Sequence, residues 1–500
     1  MGAAVIAAAA FYRPLVVWAN NAWDLSSPER LLAMGAAVSL IAISLYLLLV
    51  RRGLGPGPTA LGVAGTILVL MSWSQLPAGG WWWLVGVAVG VLVAHRRVSE
   101  AGARWAMLGA IAIVAVAPAL QVVLSHLKNT EPYPIVDLAP REDASPTGII
   151  EDVLLVFVDG YPSRAIASGW FGHDTSELDA ELADQGFSTP RVAWSHHTFT
   201  RLAIPSVLEL QPIAEPGPTG GWGNHTSTYR IIGGESFVAS AFRSAGYTHT
   251  HIDSGWNGGA CDTADVCLPN HPIDEALWKM LRPSVIGEWM ASSLRSHTVG
   301  NTLRTVEQLS SLRLTLDGER NFVFAHMLLP HAPFVVDADC RPTPDPADDY
   351  SGLEEITTEM PDPGAVRSQL TCVDGLILEI VRSVGPETAV VVTGDHGSGV
   401  LGQGATSSHV WSDAEIAERL GIFLAYRMPP ECPEPEAITN IAVMRAVTTC
   451  ALDVNPPAHE PVFLLGSNDL QLVTLDRIRR IEQQLFQGSL DLEAWAADSN

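Results

Sequence analysis

Three short segments carry side chains that bind metals and move protons, and each lies just beyond an apolar run. Asp159-Gly160-Tyr161-Pro162 follows the run 153–158. His326 and the turn Pro330-His331-Ala332-Pro333 follow 321–325, and Gly394-Asp395-His396-Gly397 follows 388–393. A lone Asp after a strand is more often a helix cap than a ligand. Three such placements after three strands instead describe one site. Carboxylate oxygen and imidazole nitrogen together suit a divalent ion of the zinc or manganese type. Such an ion polarises a phosphoryl oxygen and lowers the pKa of a coordinated hydroxyl, so a Ser or Thr nucleophile is expected between the first and later ligands. The segment Ser195-His196-His197-Thr198-Phe199-Thr200-Arg201-Leu202-Ala203-Ile204-Pro205-Ser206 is the richest in candidates.

Positioning these groups requires strands that deliver them to one edge. The runs 153–158 (VLLVFV), 321–325 (NFVFA), 388–393 (TAVVVT) and 421–426 (GIFLAY) have the continuous apolar character of strands buried on both faces. Between them, 178–185, 235–245 and 365–384 show helical apolar spacing. Alternating strands and helices imply a mostly parallel sheet with helices on both sides. Ligands then sit beyond the carboxyl ends of the strands, where the Asp and His residues lie.

Composition divides the chain in two. Of 29 Lys and Arg and 54 Asp and Glu, residues 1–128 hold 8 and 3, a net of +5, which leaves 21 against 51, a net of −30, for the remainder. A region at −30 repels a phosphate backbone, so nucleic acid is excluded as a partner. Hydrophobic residues make up 47% of the whole chain, and the excess over an ordinary soluble composition belongs to the first part. Residues 53–94 contain no charged side chain and are interrupted once, at Gln75–Gly80, so they read as two membrane spans. Residues 31–50 and 105–125 read as two more, and 2–18 as the first, a retained helix despite Arg13-Pro14. Arg51 and Arg52 follow the second span, and Arg96, Arg97 and Arg104 separate the fourth from the fifth. Lys and Arg stay cytoplasmic, so five spans place the amino terminus inside and everything after Lys128 outside. Trp81, Trp82 and Trp83 then fall at the outer interface. The expected organisation is a five-helix transmembrane domain at 1–125, a proline-rich polar linker at 126–147, a catalytic domain at 148–470, and a C-terminal helix and tail at 471–500.

All six cysteines lie in the acidic part, an even number in a compartment where disulfides persist. No C-x-x-C spacing occurs to favour a zinc site. Neighbours are expected to pair: Cys261 with Cys267, Cys340 with Cys372, and Cys432 with Cys450.

These features together resemble the membrane-anchored members of the alkaline phosphatase and sulfatase superfamily, typified by lipoteichoic acid synthases and lipid A phosphoethanolamine transferases. That family carries a bundle of five transmembrane helices followed by an extracytoplasmic α/β domain of alkaline phosphatase-like type, in the cytoplasmic membrane of bacteria. Asp395-His396-Gly397 is similar to its metal-binding D-H-G, and His409 stands where the transferases place a further histidine. Thr200-Arg201-Leu202-Ala203-Ile204-Pro205-Ser206 resembles the nucleophile segment T-x-x-S-x-P-[CS], with Ala203 in place of Ser, and His331 matches the family's histidine after a core strand. The resemblance implies a metal held by Asp159, Thr200, Asp395 and His396, with Asp159 where the transferases often have Glu. It implies substrate or leaving-group contacts from His331 and His409. The segment from Asp253 to Cys261, with Cys267, looks like the short disulfide loop beside the family's active site.

No C-x-P-x-R segment occurs, so the formylglycine of sulfatases cannot form. The function implied is transfer of a phospho-substituent from a membrane phospholipid, through a phosphothreonine at Thr200, to an envelope lipid or glycan acceptor. A hydrolase of phosphate or sulfate esters in the same superfamily, or a non-catalytic envelope scaffold, are the alternatives. Arg201, His326 and Asp253 complete the candidate substrate contacts. Arg201 would clamp an anion or pair with nearby acids. His196, His197 and His326 would extend the site or serve as hydrogen-bonded structural groups.

Overall fold

The computed structural model describes residues 1–21, 28–76, 80–128, 133–136, 144–218, 224–261, 263–269, 275–289, 297–312, 320–343, 362–400, 411–456, 461–466 and 469–490. The chain forms two compact units: Met1–Glu131 with Pro272–Arg295, and Pro132–His271 with Ser296–Asn500.

The first unit is helical: α1 (Gly2–Asn20), α2 (Pro28–Arg51), α3 (Pro56–Met71), α4 (Gly80–Arg97) and α5 (Glu100–Leu127), the last containing one π turn at Ala112–Val116. Pro56 opens α3 at the position where a missing N–H costs nothing. Ser99 caps α5 by accepting from the Gly102 N–H at 3.1 Å. Among the described residues, α1, α2 and α5 are long and apolar enough to cross a membrane. A helix stands at each of the five expected spans, but α3 has 16 residues and α4 ends in His95-Arg96-Arg97. Leu40, Ile41, Val89 and Ile113 point their apolar side chains outward, as helices in lipid do.

Inside the bundle, Val5, Ile6, Ala9, Ala10 and Val17 of α1 pack against Leu31, Ala42, Ala60, Ala64, Ile67 and Met107. Ala276 and Met280 join this core. They come from an excursion of the acidic part that the sequence places within a continuous catalytic domain, and that the fold assigns to the helical unit. The excursion accounts for the charged Arg13 in an apolar helix: its guanidinium donates to the Lys279 carbonyl at 3.1 Å and to Gln75 Oε1 at 3.3 Å.

The second unit is built on six strands: β1 (Asp152–Val158), β2 (Thr248–Asp253), β3 (Val266–Pro269), β4 (Asn321–Met327), β5 (Ala389–Thr393) and β6 (Leu424–Arg427), in spatial order β6-β5-β1-β4-β2-β3. All neighbours are parallel except β6 against β5. The mostly parallel sheet expected from the sequence is therefore present, and β1, β4 and β5 match their predicted runs. β2 was not visible as a strand because Thr-His-Thr-His reads as polar, although His249 and His251 are buried.

Around this sheet stand α6 (Arg164–Phe171), α7 (Ser176–Asp184), α8 (Thr200–Leu208), α9 (Phe237–Ser244), α10 (His297–Leu312), α11 (Pro363–Ser383), α12 (Asp413–Leu420), α13 (Asn440–Ala451) and α14 (Leu475–Gln487). Alternate residues of β1 face two separate cores, as a strand covered on both sides must. Leu154, Val156 and Val158 meet α6, α7, α10, α11 and α14. Val153, Leu155 and Phe157 meet α8, α9 and α13. The three neighbouring cysteine pairs are disulfide-bonded. Part of the expected linker is docked rather than free: Tyr133 stacks on His225 at 4.6 Å, and Ser145–Pro146 pairs with Leu452–Asp453.

Candidate metal centre

β1, β4 and β5 are adjacent and parallel, so the residues after them converge at one edge. Asp159 leaves β1, and its neighbour Gly160 adopts φ +70°, a conformation that favours glycine. A Cβ on Gly160 would also stand 3.3 Å from His331 Cα, so this glycine admits the turn that carries His331. The Gly160 N–H donates to Asp395 Oδ1 at 3.1 Å, tying the β1 and β5 ends together. Gly397 is equally required: a Cβ there would lie 1.8 Å from the Glu418 carbonyl of α12.

His396 orients the centre. Its Nδ1 donates to the Gly397 carbonyl at 2.9 Å, which fixes the tautomer and leaves the Nε2 lone pair facing the other groups. Nε2 lies 3.2 Å from Thr200 Oγ1, 3.3 Å from Asp395 Oδ2 and 3.6 Å from Asp159 Oδ1. Burial, reinforced by the Arg419 charge, pushes the imidazole down to about 4 despite both carboxylates, so it is neutral at pH 7 and these contacts are not ion pairs. Burial alone would raise the Asp159 carboxyl, but His331, His326 and His396 outweigh it and hold the group far below the usual carboxylate range. Asp159 Oδ1 and Asp395 Oδ2 are buried and accept no hydrogen bond among the described residues. Two orphaned carboxylate oxygens facing an unprotonated ring nitrogen make an acceptor-only cluster, which is costly unless a cation fills it. The donor set fits a divalent metal ion. Two overlapping groups have ligand atoms within 4.8 Å of one another, Asp159 with His331 and His396, and Asp159 with His326 and Asp395.

The four hydroxyls of the 195–206 segment differ in what they do. Ser195 Oγ donates to the Asp395 carbonyl at 2.5 Å, Thr198 Oγ1 accepts from the Gly466 N–H at 3.2 Å, and Ser206 Oγ donates to the Leu202 carbonyl at 2.7 Å. Thr200 is the one that faces His396, and it is only half-buried. It is also the first residue of α8, where the helix dipole favours negative charge.

The remaining candidates separate. His331 Nδ1 donates to the Ala332 carbonyl at 2.7 Å, so Nε2 is the nitrogen that remains for the group with Asp159 and His396, and the His331 ring lies 6.0 Å from that of His396. His326 Nε2 is 3.4 Å from Asp159 Oδ2, and Trp256, beside the Cys261–Cys267 loop, packs edge-on against it at 5.7 Å. Asp253 ends β2 and accepts from the Gly255 N–H at 2.9 Å, in a turn rather than in either metal group. The Arg201 charge is felt at His225: burial first, then that charge, push the imidazole down to about 3. His196 donates to the Val462 carbonyl and stacks on Phe463, a structural role, and burial pushes His197 down to about 3. His409 lies outside the described residues.

Two contributors escaped the sequence reading. Gln369 of α11 is fully buried, and its Nε2 donates toward the Pro330, His331 and Pro333 carbonyls at 3.0, 3.2 and 3.3 Å, stapling the turn that presents His331. Arg419 of α12 donates to the Gly397 carbonyl at 3.1 Å and lies over the Phe199 ring. Both sit in helices whose polar residues look like a solvated face, so no spacing marked them.

No family model matches the chain, and no curated protein matches it. Among solved structures it is similar to the zinc complex of the C-terminal periplasmic domain of EptC from Escherichia coli, at 11% identity over 67% of this chain and 96% of that one, TM-score 0.42. It is similar to the integral membrane lipooligosaccharide phosphoethanolamine transferase A of Neisseria meningitidis, at 14% identity over 85% and 88%, TM-score 0.38. A putative sulfatase from Bacteroides thetaiotaomicron matches at 11% identity over 72% and 93%, TM-score 0.39. Solved structures similar to this chain thus include phosphoethanolamine transferases and sulfatases.

Proposed function

We propose that the chain is a metal-dependent phosphotransferase of the cytoplasmic membrane's outer face, with Thr200 as nucleophile. The observation that carries this reading is the acceptor-only cluster: His396 Nε2, buried Asp159 Oδ1 and buried Asp395 Oδ2, with the Thr200 hydroxyl beside His396 Nε2 among the described residues. Asp159, Thr200, Asp395 and His396 would hold a zinc or manganese ion. Bound there, the ion supplies charge that stabilises an alkoxide at neutral pH and the negative charge developing on phosphorus-bound oxygen.

The residues of the chain do the rest. Thr200 Oγ1, at the positive end of α8, attacks the phosphorus of a lipid headgroup phosphodiester. The His331 imidazolium, with Nδ1–H held by the Ala332 carbonyl, gives its Nε2 proton to the departing diacylglycerol oxygen. His331 Nε2 then takes the proton of an acceptor hydroxyl, which attacks phosphorus and frees Thr200. The donor is a membrane phospholipid because α1, α2 and α5 keep the catalyst where such lipids are. Five spans with the amino terminus inside gain support from the 275–289 excursion. It meets Asn21 after α1 and Ser74 after α3, the helix ends opposite to the Arg51-Arg52 and Arg96-Arg97 turns.

Full-length protein with labelled phospholipid tests this. Loss of donor that depends on an added lipid or glycan acceptor is expected, with Thr200→Ala lowering turnover by at least about a thousandfold and His331→Gln by about a hundredfold or more. Turnover that proceeds equally in water alone makes the chain a hydrolase. Turnover unchanged in Thr200→Ala removes the nucleophile assignment.

A further inference from the structure

The excursion at 275–289 has two faces, and the fold explains only one. Glu275–Leu281 and Val285–Trp289 are short helices. Ala276 and Met280, four residues apart, are buried in the core of the helical unit. Lys279 Nζ donates to Asn21 Oδ1 at 2.8 Å, and the Ser74 N–H donates to the Pro283 carbonyl at 3.1 Å. Ser284 Oγ caps the second helix by accepting from the Gly287 N–H at 3.1 Å. On that helix Ile286 and Trp289, three residues apart and so on one face, are 48% and 85% exposed. Pro283 is pinned to the same corner from which Trp73 touches Trp81 at 5.1 Å, and Trp81 and Trp82 are 72% and 71% exposed.

We infer that 275–289 is a lipid-surface anchor: its inner face locks onto the end of the helical bundle, and Ile286 and Trp289 enter the phospholipid headgroup layer beside Trp81 and Trp82. An indole with an apolar body and one N–H donor suits the wet boundary of a bilayer. A large apolar side chain left almost wholly exposed next to apolar spans finds its partner in the same lipid that surrounds them. The inference rests on the membrane reading of the bundle. It gives the acidic part of the chain its own hold on the bilayer, through a segment that leaves after β3 and returns at α10.

All six cysteines are disulfide-bonded, so an introduced thiol is the sole free one. Full-length Trp289→Cys, Ile286→Cys, Ile41→Cys and Ile149→Cys variants are labelled with an environment-sensitive nitrobenzoxadiazole dye. They are then reconstituted in phosphatidylcholine vesicles carrying a spin label at the headgroup or at mid-chain. The dye at 289 and 286 is expected to emit at shorter wavelength and to be quenched more by the headgroup label. Ile41 should be quenched more by the mid-chain label, and Ile149 by neither. Quenching at Ile41 with none at 286 or 289 overturns the anchor and leaves the membrane reading standing. A blue shift at 289 without lipid quenching would mean that a second copy of the chain covers it, and also overturns the anchor. Absence of quenching at Ile41 removes the membrane reading and the anchor with it.

Discussion

His396 determines what kind of centre this is, because one hydrogen bond from its Nδ1 to the Gly397 carbonyl commits the other nitrogen to act as an acceptor. With two carboxylate oxygens facing that nitrogen, the site without a cation stores repulsion that binding would relieve. The full-length protein in detergent should therefore melt at higher temperature with zinc or manganese. At a free concentration about a hundred times Kd the gain should be about 2.7 kcal/mol, and a chelator should reverse it. Asp395→Asn should lose most of that gain. A melting temperature indifferent to divalent ions would mean that the cluster is a structural network and not a metal site. The same residues were legible in the sequence, because Asp159, Asp395 and His396 each follow an uninterrupted apolar strand. In the sequence only the resemblance to T-x-x-S-x-P-[CS] singled out Thr200 from Ser195, Thr198 and Ser206; in the structure these four hydroxyls of a twelve-residue segment differ in their hydrogen bonds.

Strands deliver the candidate ligands, but helices hold the turns that present them. Gln369 reaches from α11 to three carbonyls around His331, and truncating it removes the donor shared by the buried Pro330 carbonyl and the part-buried His331 and Pro333 carbonyls. Gln369→Ala should cost about 1–3 kcal/mol of stability and lower kcat more than that loss explains, while leaving zinc-dependent melting in place. Equal effects on activity and folded fraction would assign Gln369 a purely structural role. β2 carries a different consequence. Burial pushes His251 down to about 4 and His249 to about 3, against 6.5 when free. Both are neutral in either state above pH 6.5. Below it the unfolded chain takes up protons that the folded chain refuses, so stability falls as pH drops from 6.5 toward 4. Each such histidine contributes up to about 1.4 kcal/mol per pH unit in that window. His251→Asn should flatten the slope of unfolding free energy between pH 6 and pH 5 by about one proton, measured by denaturant titration of the full-length chain, and an unchanged slope would show that His251 titrates normally. The buried histidines that create this slope are also what hid β2, because period-2 alternation of Thr and His carries no apolar signal.

Across the whole molecule the two halves of the chain have opposite charge, +5 in residues 1–128 and −30 beyond. A field of that sign discourages anionic lipid at long range, so attraction for a phosphate has to be local, from a cation and from His331 at the strand ends. The division was legible because hydropathy and charge change together near residue 128. The return of 275–289 to the helical unit was not, since fifteen residues with four charges look like any surface segment of the acidic part. The account as a whole depends on Thr200 becoming covalently loaded. The most direct measurement is mass analysis of the peptide containing Thr200 after the full-length protein has been incubated with phospholipid and quenched in acid. The account predicts an added mass equal to the phosphorylated headgroup on Thr200, absent in Thr200→Ala and absent after chelation. Donor turnover with an unmodified Thr200 peptide would contradict it.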